Sequence, residues 1–199
     1  MKSKIHEYQK TNKNSVIKNI ILILIISIFF ACCTKDDNPT PAPTPVSQLP
    51  PATQTGANTF GCLLDGEVFI PGITNNSYNC FYQLVDGEYY FKVSASNRKN
   101  NILRGITLGT EKLSITQGQT LNLYERVDGN CFGGFFYGND LTGVLENNRT
   151  SILNTGELKI TKLDFTNNIV SGTFWFNIKD AQNVVHQIRD GRFDMKLTQ

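Results

Sequence analysis

The sequence predicts an all-β fold: an antiparallel β-sandwich or flattened β-barrel of roughly ten short strands, after a signal peptide and a proline-rich linker. Three observations predict it. Four Asp-Gly pairs punctuate runs of alternating apolar and polar residues. No window of about eleven residues after Gly56 has helical periodicity. Residues 57–199 are also about the length of a single domain with one core.

The strands are predicted from the runs beside the Asp-Gly pairs, since this dipeptide favours hairpin turns. Asp65-Gly66 separates TFGCLL from EVFIP, and Asp86-Gly87 separates CFYQLV from EYYFKVSA. Asp190-Gly191 is predicted to join VVHQIR and RFDMKL as a hairpin, and Asp128-Gly129 is predicted to be a further turn. Other strands are predicted near residues 102–108, 112–116, 119–125, 131–137, 157–165 and 169–178.

The stretch CFGGFFYGND, residues 131–140, has three glycines among aromatic residues. We favour a glycine-kinked strand whose aromatic side chains fill the core, because glycine within strands marks bulges and close backbone approaches. A flexible loop that presents its rings to a ligand is the alternative.

The domain contains Cys62, Cys80 and Cys131. An exported protein can form disulfides, so the sequence allows one bridge and one free thiol, or three buried thiols, without selecting a pair. The spacings of 18 and 51 residues do not match zinc-binding pairs. Neither a metal nor a cofactor is therefore expected.

The N-terminus, residues 1–31, has the pattern of a signal peptide. Five lysines and one glutamate precede the apolar run IILILIISIFFA. The small residue Ala31 then precedes Cys32 and Cys33, as in bacterial lipoprotein precursors, which this segment resembles. The resemblance implies lipidation at Cys32 or Cys33. The run Lys35-Asp36-Asp37 resembles the signal that displays Bacteroidota lipoproteins on the outer face of the outer membrane.

Residues 32–56 form the predicted linker, which contains most of the prolines and should be extended. Removal of residues 1–31 would change the net charge from +2 to −2, because that segment carries five lysines and one glutamate. No basic stripe remains, and nucleic acid is excluded as a partner class. The expected attachment is to the membrane, through N-terminal acyl chains.

Few residues suggest catalysis, and the sequence predicts no catalytic residue. His186 is expected to be a core or edge residue of a strand, and Glu157, Asp164 and Asp180 are interpreted as scattered, solvated charges. No nucleophile elbow, phosphate loop or zinc-protease motif is present. An enzyme is thus the least supported class. A pocket that places His186 beside two carboxylates would reverse that ranking.

Trp175 is the strongest candidate for ligand binding. In GTFWFNI, Phe174, Phe176 and Ile178 lie on one face of a strand, so Trp175 should point outward. An outward tryptophan can stack on a sugar ring or anchor a partner. The alternatives are that the second layer of a sandwich buries this face or that the proline-rich linker covers the ring. Tyr90 is a second candidate on the same reasoning. A concave patch around either residue would favour a glycan, whereas a flat apolar edge would favour a protein partner.

Two blocks, TGANTFGCLLDGEVFIP and VSGTFWFNI…IRDGRFDMKL, resemble an uncharacterised domain family of secreted Bacteroidota lipoproteins. The resemblance implies secretion, anchoring and β-architecture, and no activity. The expected function is a non-enzymatic, surface-displayed module that binds polysaccharide or another envelope protein. The alternatives are a structural component of the envelope and a barrel that carries an apolar ligand in a cavity lined by Phe91 and Phe193.

Overall fold

The computed structural model describes residues 43–72 and 77–198. The predicted signal peptide, Cys32, Cys33 and the run Lys35-Asp36-Asp37 lie outside these residues. Residues from Pro43 onward form one compact unit. Across the described ranges, no helix has both the length and the apolar character needed to cross a membrane.

Among the described residues the regular structure is β-strand, as predicted, apart from a short 3-10 helix at Pro45–Gln48. The strands are β1 (Thr59–Leu64), β2 (Glu67–Phe69), β3 (Tyr78–Val85), β4 (Glu88–Lys99), β5 (Ile102–Thr110), β6 (Thr120–Leu123), β7 (Cys131–Asn139), β8 (Val144–Arg149), β9 (Gly156–Asp164), β10 (Ile169–Lys179) and β11 (Val185–Lys196).

The strands belong to one sheet, in the order β2-β1-β11-β10-β9-β6-β7-β5-β4-β3, with β8 paired to β7. Neighbours are antiparallel except β6 and β7, which meet in parallel at Leu123 and Cys131. The sheet does not close into a barrel. It does fold over on itself, because Thr198, just after β11, donates its backbone N–H to the carbonyl of Cys80 on β3 over 2.9 Å.

One core lies between the two halves of the folded sheet. Phe91 of β4 and Phe193 of β11 meet across it with ring centroids 6.3 Å apart, and both are almost fully buried. Burial of such a side chain stabilises the fold by about 1.5–3 kcal/mol. These two rings fill the space in which an apolar-ligand cavity was expected, so the structure provides no cavity between them.

Two of the predicted hairpins are confirmed, and one is wrong. Asp65-Gly66 and Asp86-Gly87 have positive φ at both residues and join β1 to β2 and β3 to β4. Asp190-Gly191 lies instead inside β11, where the pairing with both β1 and β10 shifts register. Positive φ at Asp190 here forms a β-bulge, and a Cβ on Gly191 would come within 2.4 Å of the Phe174 ring.

The strand predictions between these turns were less accurate. Residues 112–116 do not form a strand, and β6 is shorter than the predicted 119–125. The structure adds β8, whose sequence VLENNR is too polar to be recognised by alternation. The glycine-rich stretch forms β7, as favoured, with Phe135 in the core.

The end of the predicted linker packs on the sheet. Leu49 is buried, and Asp194 of β11, itself fully buried, binds the segment that follows. Burial alone would raise the pKa of Asp194, but the hydrogen bonds that it accepts outweigh this and hold the pKa far below its usual range. The donors are Thr53 Oγ1 (2.7 Å), Thr55 N (2.9 Å), Thr55 Oγ1 (3.2 Å), Gly56 N (2.8 Å), Ala57 N (3.2 Å) and Ser171 Oγ (2.7 Å).

Cys62, Cys80 and Cys131 are buried free thiols on β1, β3 and β7. Burial raises the pKa of Cys80 and of Cys131 to about 12 and raises that of Cys62 as well. A thiol with such a pKa carries almost no thiolate at neutral pH and is chemically inert. Of the two sequence-based alternatives, the structure contains the buried thiols.

Candidate functional site

At one end of the fold the inward-facing residues change from apolar to polar. On β5 the next inward-facing residue beyond Ile106 toward this end is Arg104. On β7 the next one beyond Phe135 is Tyr137. Arg104 pairs with Tyr137, and Tyr137 pairs with Glu146 of β8, so the three form a row across the sheet. The apolar core ends at this row, because Arg104 and Glu146 are charged and charged side chains are rarely buried without partners.

A cavity of about 540 Å³ lies above this row, and we call it the mouth cavity. Its volume is within the range of about 300–1,000 Å³ that is typical of small-ligand sites. Leu64, Phe135, Tyr137 and Val144 provide its apolar walls, and Asp65, Glu67, Arg104, Glu146, Asp180, Gln182 and His186 provide its polar groups.

The polar side of the mouth cavity centres on His186 and two carboxylates. Its Nδ1 lies 2.7 Å from Asp65 Oδ2, and its Nε2 lies 3.2 Å from Asp180 Oδ2. The ring also contacts Phe135, with centroids 5.1 Å apart. A pocket therefore does place His186 beside two carboxylates, which was the condition for ranking an enzyme higher. The earlier interpretation of Asp180 as an unconnected, solvated charge was wrong.

Local backbone structure holds both carboxylates in place. Asp65 is the first residue of the β1–β2 turn, and its Oδ1 accepts the backbone N–H of Gln187 over 2.7 Å. Asp180 begins the β10–β11 loop, and its Oδ1 accepts the backbone N–H groups of Gln182 (2.9 Å) and Val184 (2.7 Å). Each carboxylate binds His186 through one oxygen. The other oxygen of Asp65 binds the backbone of β11, and that of Asp180 binds its own loop.

This arrangement favours the imidazolium form of His186. Burial alone would lower the pKa of His186, but the hydrogen bonds to Asp65 and Asp180 and their negative charges together raise it above its usual value. For Asp180, burial acts to raise the pKa, and it is outweighed by hydrogen bonds from Val184, His186 and Gln182, so that the pKa is lowered. When His186 is protonated, the cluster is a cation held between two anions.

A catalytic base needs a free ring nitrogen and a nearby proton to accept. Both nitrogens of His186 are already engaged, and no serine, threonine or cysteine is among the described residues that line the mouth cavity. Nucleophilic catalysis of the Ser-His type therefore has no nucleophile here. As arranged, His186 joins the β1–β2 turn to the β10–β11 loop.

Arg104 is the least satisfied group in the mouth cavity. Its Nε is buried and has no hydrogen-bond partner in the part of the chain that the structure describes. Its Nη1 lies 3.8 Å from the largely exposed carboxylate of Glu67. A buried donor without a partner costs about 1–3 kcal/mol. The guanidinium group also lacks a close acceptor among the described residues, so its partly exposed nitrogens can donate to a ligand.

Trp175 points outward, as predicted, and is 40% exposed. It lines a shallower depression of about 290 Å³ with Glu157 and Arg192. The guanidinium of Arg189 lies 5.5 Å from the centre of its ring and is fixed by a 2.7 Å hydrogen bond to Asn177 Oδ1. The cation–π contact occupies part of the surface that a sugar would use.

Tyr90 lies in a different concavity, of about 480 Å³, on the outer face of the sheet. We call it the outer groove. Phe132 and Arg149 also line it, whereas Trp175 does not. The structure therefore separates the two predicted binding residues rather than bringing them together.

Sequence reasoning missed the mouth cavity, although two pairings could have indicated it. The pairing of Leu64 with Ile188 brings the first Asp-Gly turn beside His186, and the pairing of Ile178 with His186 brings Asp180 beside it. The second pairing requires a β10–β11 hairpin around residues 180–184. The hairpin predicted for this part of the chain was instead at Asp190-Gly191.

Among the described ranges, no three His, Cys, Asp or Glu side chains are arranged to hold a metal ion. Comparison with known proteins gives no match to a family model, to a curated protein or to a solved structure.

Proposed function

We propose that this chain is a lipid-anchored, non-enzymatic surface module that binds a neutral or amino-bearing saccharide in the mouth cavity. The observation that carries the proposal is a cavity of ligand size with one apolar and one hydrogen-bonding side, and with the partly exposed side chain of Arg104 on its lining. Sugars have both kinds of surface, because C–H groups cover ring faces and hydroxyls project from ring edges.

The charge of the mouth cavity supports this ligand class. Its four carboxylates outnumber its two basic side chains, Arg104 and His186. Carboxylates accept hydrogen bonds from hydroxyl and ammonium groups and repel anions. Phe135 and Tyr137 provide apolar surface in the same cavity, and the Phe135 ring contacts His186.

A glycoside-cleaving enzyme is the second candidate, and the carboxylates of the mouth cavity favour it. Two carboxyl groups about 5–10 Å apart can hydrolyse a glycosidic bond, one as acid and the other as base or nucleophile. Asp65 and Asp180 are engaged with His186, which leaves Glu67 and Glu146 as the available pair. Glu146 already accepts a 3.0 Å hydrogen bond from Gln182, and Glu67 is 80% exposed. Glu146 is therefore already engaged and Glu67 lies largely in solvent, which ranks the enzyme second.

A glycan array probed with the full-length protein and an Arg104→Met variant tests the binding site. Methionine keeps the aliphatic stem and removes the donor, so binding of neutral or amino saccharides should be lost. The matched control is Arg98→Met, which removes an exposed arginine, paired with Asp140, outside the cavity. It should bind like the wild type.

Four outcomes would contradict the proposal. Equal binding by the Arg104→Met variant would show that the ligand does not bind in the mouth cavity. Loss of binding in Trp175→Ala alone would show that it binds at the Trp175 depression. Shorter saccharides in the incubated sample, detected by mass spectrometry, would favour the enzyme. Failure to bind any glycan would favour a protein partner at the edge strand β3, where Leu84 and Val85 are 60% and 47% exposed.

The anchoring part of the proposal is supported by residues 1–37 of the sequence, which have the order of a lipoprotein signal, anchor cysteine and acidic export run. Intact-mass analysis should give a mature chain that begins at Cys32 or Cys33 and carries acyl chains. Protease treatment of whole cells should remove the domain if it is displayed on the outer surface. An unacylated chain that retains residues 1–31 would contradict this part.

A further inference from the structure

The outer groove has the opposite charge from the mouth cavity. Lys92, Arg126 and Arg149 line it together with a single carboxylate, Glu111. Glu111 is already paired with Arg126. Within residues 43–72 and 77–198, neither Lys92 nor Arg149 forms an ion pair. Two positive charges on this face therefore have no protein counter-ion.

The position of Arg149 is unfavourable without an anion. Its guanidinium lies 5.7 Å from the centre of the Phe132 ring, and that of Arg126 lies 5.3 Å from the same point. Partial burial lowers the pKa of Arg149 and the charge of Arg126 lowers it further, whereas the charge of Glu111 acts in the opposite direction without reversing the shift. The one polar contact of the Arg149 guanidinium in the described chain is a 3.2 Å hydrogen bond from Nη1 to Asn147 Oδ1. Partly desolvated like charges repel unless an opposite charge joins them.

Aromatic side chains form the rest of the outer groove. Phe132 lies across Gly109, where a Cβ would come within 2.9 Å of the ring, so the glycine is what allows the ring to lie against the sheet. Tyr90, Phe81 and Phe136 extend this surface. Such rings pack against the C–H face of a sugar, while arginine pairs with carboxylate or sulfate through two parallel hydrogen bonds.

We infer that the outer groove is a second saccharide-binding site, specific for an anionic sugar that carries a carboxylate or sulfate group. Arg149 and Lys92 bind the anion, and the rings around Tyr90 and Phe132 bind the sugar face. The site lies on the opposite side of β5 and β7 from the mouth cavity and does not depend on that cavity binding anything.

The test is calorimetric titration of the full-length protein, in detergent, with polygalacturonate, dextran sulfate, neutral dextran and inorganic sulfate. At least one of the anionic polymers should bind, more weakly as salt rises, and dextran should not. Arg149→Met should weaken binding about tenfold, the loss of roughly one charge-assisted contact. Lys92→Met should act in the same direction, and Arg98→Met is the matched control.

Each remaining outcome overturns the inference. Failure of both anionic polymers to bind, or equal binding of dextran, would show that the groove does not select an anionic saccharide. Binding of inorganic sulfate as tight as that of the polymers would show an anion site without sugar recognition. Unchanged polymer binding by both the Arg149→Met and the Lys92→Met variants would show that the polymer binds outside the outer groove. Arg104→Met should leave polymer binding unchanged, which separates this site from the mouth cavity.

Discussion

Strand β11 has an aspartate cluster near each end, and the two clusters differ in how completely their polar groups are satisfied. Near the C-terminal end, Asp194 is fully buried, and both of its oxygens accept several hydrogen bonds. Near the N-terminal end, Asp65, Asp180 and His186 are partly open to a cavity, with the unpartnered Arg104 on the same lining. The closed cluster stabilises the fold, and the open one leaves hydrogen-bonding capacity for a ligand.

The largest expected effect comes from breaking the closed cluster. Asp194→Ala should lower the free energy of unfolding by about 3–5 kcal/mol, because several buried donors lose a charged acceptor. The pKa of Asp194 is held below its unfolded value of about 3.9, so its contribution is present above about pH 4 and is lost as the pH falls toward the folded pKa. Urea unfolding at pH 7 and at pH 3 measures both effects.

The matched control for that comparison is Asp128→Ala, at an exposed carboxylate paired with Lys112. Its unfolding midpoint should stay close to that of the wild type, since surface ion pairs contribute little. Similar losses in the two variants would show that the hydrogen bonds to Asp194 do not stabilise the fold.

The second effect concerns the segment that Asp194 binds. A chain that begins at Ala57 lacks Thr53, Thr55 and Gly56, whereas a chain that begins at Pro43 retains them. The shorter chain should be less stable by about 2–4 kcal/mol, because Asp194 stays buried with fewer donors. Equal urea midpoints for the two chains would mean that the segment is a free linker.

The third effect should come from the open cluster and have the opposite pH dependence. The pKa of His186 is raised above its unfolded value of about 6.5, so its contribution is fully present below that pH and is lost as the pH rises through the folded pKa. Replacement by glutamine should therefore cost about 1 kcal/mol near pH 6 and less near pH 9. The cost is small because the cluster is partly exposed and solvent screens it.

Urea unfolding of the wild type and His186→Gln at these two pH values gives the comparison. In an Asp65→Asn, Asp180→Asn background the pH dependence of the His186 substitution should shrink, because the two charges that raise its pKa are gone. A cost that grows with pH would contradict the imidazolium assignment.

The smallest effect on stability is expected at Arg104. Arg104→Met should change the free energy of unfolding by less than about 1 kcal/mol, since the loss of a weak ion pair is offset by removal of a buried donor without a partner. Thermal unfolding of the ligand-free variant measures it. A large loss of stability would show that Arg104, like Asp194, stabilises the fold and is not reserved for a ligand.

Local sequence was sufficient where one strand and its nearest turn decide the outcome. The alternation of Phe174, Trp175 and Phe176 predicts which side chains are buried, and the structure has Phe174 and Phe176 in the core and Trp175 exposed. Asp65-Gly66 forms the predicted turn for the same reason. Prediction failed at Asp190-Gly191, because positive φ suits a turn and a bulge equally well, and the strands on both sides of β11 select the bulge.

The sequence by itself determined the all-β class, two hairpins and the outward position of Trp175, because these depend on period-two alternation and on the backbone freedom of Asp-Gly. Only the tertiary structure decided that residues 65, 180 and 186 meet, that Asp194 binds the end of the linker, and that the basic residues of the outer groove lie on the opposite face from the mouth cavity. Those contacts join residues up to 141 positions apart. They follow from how one sheet folds over its own core, which no local pattern specifies.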